Sequence, residues 1–369
     1  MAGSLTAGSL TAGHGWRRRS GRAGAVALAA AAVALGVPAL PAAAVDGPTQ
    51  EFTISDARIT ESSGLAAGAA HPGVFWTHND SDDGPYVYAV DGQGRTVATV
   101  TMRGIKPRDV EAISLGADGQ LYVADIGDNL DGTWPEVWIY RFAEPADLRD
   151  QTVDVVRYRV RYEDGPRNAE ALMVHPVTGR VYIASKREKG AGLYQGPETL
   201  SATAVNIFRR VGDVPWVTDG GFSPDGTRLV LRGYFWANVY RWRDGGAPEE
   251  IGDLALPFQR QGESVTFSAD GRSVLFGSEG KNSPVWRVPL KGDQLPDTVR
   301  PVASASVSPS ASGAAGAEGS PQAAAPAGQP ADAGSDSGSG RGVTLLLVIA
   351  VVVALAGGWR KKRGGGSPD

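Results

Sequence analysis

The chain has no cysteine, and only three methionines and four histidines among its 369 residues. Disulfides, thiolate nucleophiles and Cys-ligated zinc are therefore excluded, and a folded part must be large enough to be held by packing alone. Charge of either sign is also scarce as clusters: 36 Lys and Arg against 40 Asp and Glu leave a net of −4. The dense basic runs are Arg17-Arg18-Arg19 with Arg22, and Arg360 to Arg363. Both flank apolar stretches and read as topology signals, so nucleic acid is not an expected partner. There is no G-x-S-x-G elbow, Walker-type loop or His-rich metal set. His71 and His175 each precede a proline in a turn, which leaves His78, near Asp80 and Asp82, as the candidate general base.

What the sequence does contain begins with targeting signals. Arg17 to Arg22, the uncharged run Ala23 to Val37, and Ala42-Ala43-Ala44 have the layout of a secretory signal peptide over residues 1–44, with Val45 as the mature start. At the other end, residues 342–359 form an uncharged apolar stretch long enough for a transmembrane helix. Arg360-Lys361-Lys362-Arg363 would hold the tail, residues 360–369, on the cytoplasmic side. Pro330 to Arg341 contains no sorting pentapeptide, so the expectation is a single-pass membrane anchor with the folded part extracellular. Residues 301–341 are dominated by Ala, Ser, Gly and Pro and read as a flexible linker.

Residues 45–300 repeat. Val87-Tyr88-Ala89, Ile139-Tyr140-Arg141, Leu193-Tyr194-Gln195, Val239-Tyr240-Arg241 and Val285-Trp286-Arg287 place an aromatic residue in the same phrase roughly every fifty residues. In step with them, an acid opens a small-plus-apolar strand at Glu61, Glu111, Glu170, Asp219 and Glu263, and a tight turn follows each time. Units of four short strands at this period, the fourth more polar as in Val153 to Tyr162, predict an all-β fold, a five-bladed β-propeller. The last unit lacks a fourth strand. Gln50 to Ile59 is expected to supply it, closing the ring from the N-terminal side. The aromatic set is expected to pack between blades, leaving Trp134, Trp138, Trp216 and Trp236 as candidates for glycan stacking.

Phe222-Ser-Pro-Asp-Gly-Thr-Arg-Leu-Val230 and Phe267-Ser-Ala-Asp-Gly-Arg-Ser-Val-Leu275 resemble the WD40-like repeats of TolB-type periplasmic propellers. Asp109-Val-Glu-Ala-Ile113 with Leu121 to Asn129 is similar to a phrase of secreted bacterial propellers. The E-A-I and E-A-L strand openings resemble the phytase-like esterase group and, more distantly, the gluconolactonase type. The resemblance covers the propeller region and implies that fold. No WD dipeptide closes the units, which sets the chain apart from a typical WD40 scaffold.

Chemistry is expected where the inner strands meet. Glu61, Glu111, Glu170, Asp219 and Glu263 would line the axial channel, where converging carboxylates repel unless a cation or a set of donors lies among them. One reading is a Ca²⁺ site; the other is that each acid accepts backbone N–H bonds from a neighbouring blade. Two acidic loops break the repeat, and in them Asn79, Asp80, Asp83, Asp125, Asp128, Asn129 and Asp131 are the candidate metal ligands. The corresponding loops at Ser185 to Glu188 and Ser278 to Lys281 carry both signs and could face an anionic group.

Three functions are carried forward. The first is a surface-displayed binding module, calcium-stabilised, for an extracellular protein, peptide or glycan. The second is a metal-dependent esterase, lactonase or phosphatase-like hydrolase working through Glu61, Glu111, Glu170 and Asp125, and the third a purely structural scaffold.

Overall fold

The computed structural model describes residues 47–80, 83–130, 132–243 and 247–300. The expected signal peptide, linker, transmembrane helix and tail lie outside the described residues, as does Asp131. The described residues form twenty-one strands and one short 3-10 turn, an all-β fold.

After β1 (Thr49–Thr53), the strands β2 (Ser62–Ala67), β3 (Val74–Asn79), β4 (Tyr86–Asp91) and β5 (Thr96–Met102) form an antiparallel run. A second comprises β6 (Val110–Leu115), β7 (Gln120–Asp125), β8 (Val137–Ala143) and β10 (Val156–Tyr162), with the short β9 (Gln151–Val153) between the last two in sequence. A third is β11 (Ala169–Val174), β12 (Val181–Ser185), β13 (Gly192–Gln195) and β14 (Val205–Asp213). The fourth is β15 (Asp219–Phe222), β16 (Arg228–Arg232), β17 (Ala237–Arg241) and β18 (Glu249–Asp253). The last, β19 (Gly262–Phe267), β20 (Ser273–Ser278) and β21 (Pro284–Pro289), is completed by β1 lying antiparallel to β21.

The first strands β2, β11 and β19 are buried almost throughout, and β6 and β15 over their opening residues, because these strands have neighbours on both faces. β2 packs beside β6, β6 beside β11, β11 beside β15, β15 beside β19, and β19 beside β2 again. Outer strands such as β10 alternate buried and exposed residues instead, as one-sided strands do. The tight turns between first and second strands carry glycines at positive φ, for example Gly226 (73°) and Gly271 (66°), where a β-carbon would be strained.

Five apolar clusters form the core, each shared by two consecutive runs. Trp76, Val100 and Met102 meet Leu121, Val123 and Phe142 in one of them. Phe52, Ile54, Ile59 and Phe75 meet Leu275 and Val285 in another, so the chain before β2 fills the last gap. Tyr88, Tyr140, Tyr194 and Tyr240 all lie in these clusters, whereas Trp286 is only half-buried. The arrangement is a propeller-type one.

Two sequence expectations shift in detail. The closing strand covers Thr49–Thr53 rather than the whole of Gln50 to Ile59, and the residues after it turn inward as core. The polar strand expected over Val153 to Tyr162 is split. β9 pairs in parallel with β5 of the preceding run, and β10 completes its own. β10 also pairs in parallel with β14. The outer edges of β5, β10 and β14 are thereby paired, whereas β1 and β18 remain edge strands of their sheets.

Closure by β1 can be dissected. Phe52 is buried with its ring 5.2 Å from that of Phe75, so Phe52→Ala is expected to cost about 3–5 kcal/mol in urea unfolding. The Glu51–Arg287 pair at 2.7 Å is partly exposed, and Glu51→Ala should cost less than about 1 kcal/mol. A near-silent Phe52→Ala would show that the closing strand contributes little to stability.

Candidate functional site

The geometry of the axial end comes from a bulge at the start of four of the five inner strands. Val110 faces Asp125 and Ala112 faces Ala124, so Glu111 is an extra residue without a partner in the ladder. Glu170 is extra in the same way between Ala169 and Ala171. In the last run the register slips between Gly262 and Val265, around Glu263. In the first run the slip falls between Ser62 and Gly64, so the extra residue there is Ser63, not Glu61.

The expected ring of five equivalent acids is corrected accordingly. Glu61 is matched by Asp109, Asn168 and Gln261: the carbonyl of each accepts from the backbone N–H just beyond its second strand, at Asp80, Gly127, Lys186 and Glu279. Asp219 departs in a different way. It pairs with Arg232 without a bulge, and its carboxylate accepts from Gly220 N at 2.8 Å and Val265 N at 2.7 Å. That acid bolts β15 to β19.

Around the axis the structure brings together Asp80, Asp109 and Glu111, with one carboxylate oxygen from each inside 4.8 Å of the others. Asp109 and Glu111 are only 4% and 3% exposed, and Asp80 is half-buried. Gly127 closes over the group: a β-carbon there would stand 2.4 Å from Glu111 Oε1 and 2.5 Å from Asp109 Oδ2. Asn129 Nδ2 donates to Asp109 Oδ2 at 2.6 Å. Burial, reinforced by Glu170, Asp80 and Asp109, pushes the Glu111 carboxyl well above the usual range.

Lys186 stands beside this group, ion-paired with Glu170. Its ammonium donates to Tyr234 OH at 3.1 Å and lies 5.1 Å and 4.9 Å from the ring centres of Trp216 and Tyr234. Burial raises Glu170 although Lys186 pulls the other way; burial also raises Glu263, again against Lys186. Gln261 donates its amide to both Glu263 and Glu279. Glu263 Oε2, in a residue 2% exposed, has no hydrogen-bond partner among the described residues. Glu279 is raised by burial and then by Glu263, Asp80 and Glu61.

Most of the other proposed ligands are engaged in building the loops. Asp125 accepts from Asp109 N (3.1 Å), Arg108 N (3.3 Å) and Tyr140 OH (3.0 Å), and so fixes the backbone that carries Asp109. Asn79 does the same for Thr60 and Glu61, both at 3.0 Å. Asp83 accepts from Gly84 N and Asn79 Nδ2, each at 2.7 Å, and Asp128 from Thr133 Oγ1, Gly132 N and Trp134 N. These are turn caps.

His78 is not at the mouth. Its Nδ1 donates to Asn79 O at 2.9 Å, while Nε2 faces Gly64 and the Ile113 backbone, unpartnered among the described residues. Burial lowers its basicity, which keeps it neutral. Gln261 was not singled out from the sequence; Lys186 and Glu279 lie in the two loops expected to face an anionic group, and they meet the protein's own carboxylates instead. The available signal was positional: Lys186 and Glu279 each follow the second strand of a unit, as Asp80 does.

No protein-family model matches this chain. No curated protein resembles it in sequence either. Solved structures similar to it include a gluconolactonase from Xanthomonas campestris, at 14% identity and a TM-score of 0.41, covering 62% of this chain and 72% of that one. Another is the PQQ-bound aldose sugar dehydrogenase of Streptomyces coelicolor, at 11% and 0.40, covering 66% and 98%. A luciferin-regenerating enzyme matches at 15% and 0.40, covering 63% and 78%. At these scores the likeness is distant, and the site is read from its own residues.

The raised carboxyls predict an inverted pH dependence. An acid whose folded pKa exceeds its unfolded value contributes stability that is complete below the unfolded value and lost as pH climbs through the folded one. With EDTA present, the melting temperature should therefore fall between about pH 5 and about pH 8, driven by Glu111, Glu170, Asp219, Glu263 and Glu279. A melting temperature that rises over that interval would show these acids to be ionised and satisfied already.

Proposed function

We propose that the chain is a five-bladed β-propeller displayed outside the cell on a membrane anchor, with a hard divalent cation at its axial mouth, acting as a binding module. The five-blade reading is supported by the cyclic contacts of β2, β6, β11, β15 and β19 and by the five apolar clusters between consecutive runs. Display outside the cell rests on the signal-peptide and membrane-span patterns of residues 1–44 and 342–359.

The cation reading rests on one observation, the Asp80–Asp109–Glu111 group with oxygens inside 4.8 Å. Ca²⁺ holds oxygens at about 2.3–2.6 Å, so two ligands of one ion stand at most about 5 Å apart. An all-oxygen donor set also selects Ca²⁺ or Mg²⁺ over softer metals. The burial of Asp109 and Glu111, the pairing of Lys186 and the enclosure of His78 favour binding over catalysis.

A hydrolase remains the second reading, favoured by Glu170. Its raised carboxyl beside a cation site has the property of a general acid kept protonated near neutral pH.

Thermal melting separates these. At a Ca²⁺ concentration about a hundredfold above Kd, the wild type should gain about 2.7 kcal/mol over EDTA. Glu111→Gln and Asp109→Asn should lose that gain, and Glu111→Gln should melt in EDTA at pH 8 no lower than wild type, because one buried repelling charge is gone. Asp128→Asn, which caps a turn, should keep the calcium response. Identical wild-type melting in Ca²⁺ and EDTA sinks the cation site. Calcium-dependent turnover of simple esters or lactones, abolished by Glu170→Gln, would replace the binding module by the hydrolase.

A further inference from the structure

The chain does not leave the fold where its last strand ends. Beyond β21, residues 291–300 run across the tight turns of the fourth and last runs, at the strand ends opposite the carboxylates. Leu290 is buried and Leu295 packs against the same apolar cluster, which these two runs share. Pro296 and Val299 sit over Gly271, where a β-carbon would stand 3.1 Å and 3.4 Å from them. Gln294, in the short 3-10 turn, donates its amide to Asp253 O of the fourth run at 3.0 Å.

The inner turn of the fourth run grips this strap. Asp225 Oδ2 accepts from Thr298 N and Oγ1, both at 3.0 Å, and Thr227 Oγ1 accepts from Asp297 N at 3.0 Å. Arg228 is fully buried, and its guanidinium donates to Asp293 O at 2.9 Å and to Asp297 Oδ1 at 2.7 Å. The carboxylate that pairs with it thus comes from the strap. Lifting the strap breaks these bonds together and takes from a buried charge its partner.

Without the strap, a pull from the C-terminal side would enter at the end of β21. That strand lies between β20 and β1, and the ring closes on it. Drawing it out would unpair both ladders. With the strap docked, the pull meets Asp225, Thr227 and Arg228 first, in a run whose four strands are consecutive in sequence.

We propose that residues 291–300 are a load-bearing latch that passes tension to the fourth run and keeps it off the ring closure. The inference rests on the display reading and deepens it. A module that holds a partner at its mouth while residues 301–359 hold it to a membrane works under tension, and the latch is where that tension enters the fold.

Optical-tweezer pulling on the full-length protein in detergent tests it. The chain has no cysteine, so Phe258→Cys, exposed on the chain leading into β19, gives a unique handle, with the second handle at the C-terminus. The ten residues 291–300, at about 3.3–3.6 Å each, make release of the latch a step of about 35 Å. With the latch intact, that extension is expected to come together with rupture of the propeller. Asp297→Ala should separate the two, the short step coming first and the propeller then rupturing at lower force. Should Asp297→Ala fail to fold, Asp297→Asn, which keeps the shape and removes the charge, decides. A short step ahead of rupture with the latch intact, or unchanged rupture in the folded variant, overturns the latch. Release of the full-length protein from membranes by alkaline carbonate would instead sink the display reading, and the force record would still decide the latch.

Discussion

Carboxylates held a few ångströms apart and shut away from water repel one another and lose their hydration, so they cannot all remain ionised without help. The axial end of this protein is organised by that constraint. Asp80, Asp109 and Glu111 converge at one side, and Glu263 and Glu279 are tied together through Gln261. Lys186 meets Glu170 between them, with Trp216 and Tyr234 against its ammonium. Three remedies are available: a proton, a side-chain cation or an exogenous one. Lys186 supplies the second to Glu170 only in part, since burial still holds that carboxyl raised, and the elevated acids mark where the first or third operates.

The same end also contains buried charges that backbone groups hold in place. Asp219 and Asp125 are as buried as Glu111, yet each accepts from backbone N–H groups; at Asp219 burial still pushes the carboxyl well above its usual range, with the N–H groups of Val265 and Gly220 working against it. Arg232 is fully buried and donates to the carbonyls of Ser264 and Gly277, at 3.0 and 2.9 Å, and to Gln259. Burial lowers its pKa only to about 10, so it stays charged. Asp219 and Arg232 sew adjacent runs together, and Asp125 ties the strands of its own. A buried charge in this fold thus signals function only where backbone partners do not account for it.

The repeat made the architecture legible because each inner strand must begin, turn and return in the same way, and an aromatic phrase marks each third strand. The register at the mouth was not legible. Glu61-Ser-Ser-Gly-Leu65 reads like Glu111-Ala-Ile-Ser-Leu115, yet the bulge falls on Ser63 in one and on Glu111 in the other. A bulge shifts a side chain by one residue without changing composition or period, so pattern alone cannot place it. The acidic loops misled for a related reason. Asp83 and Asp128 are spaced like ligands, but Asx caps need the same residue types at the same short spacing. Asp80 differs from them only in where its chain leaves β3.

One loop ties the axial carboxylates to the start of β8. Asn129 donates to Asp109 at one end of the loop, and Asp128 caps Trp134 at the other. Arg108, the residue before Asp109, stacks on Trp134 and is 3.5 Å from Asp125. Any ligand that draws Asp109 towards Glu111 therefore acts on the segment that orients the indole. Linkage requires the effect to be mutual. The cap from Asp128 and the guanidinium of Arg108 that fix Trp134 therefore also help to hold Asp109 in place beside Glu111.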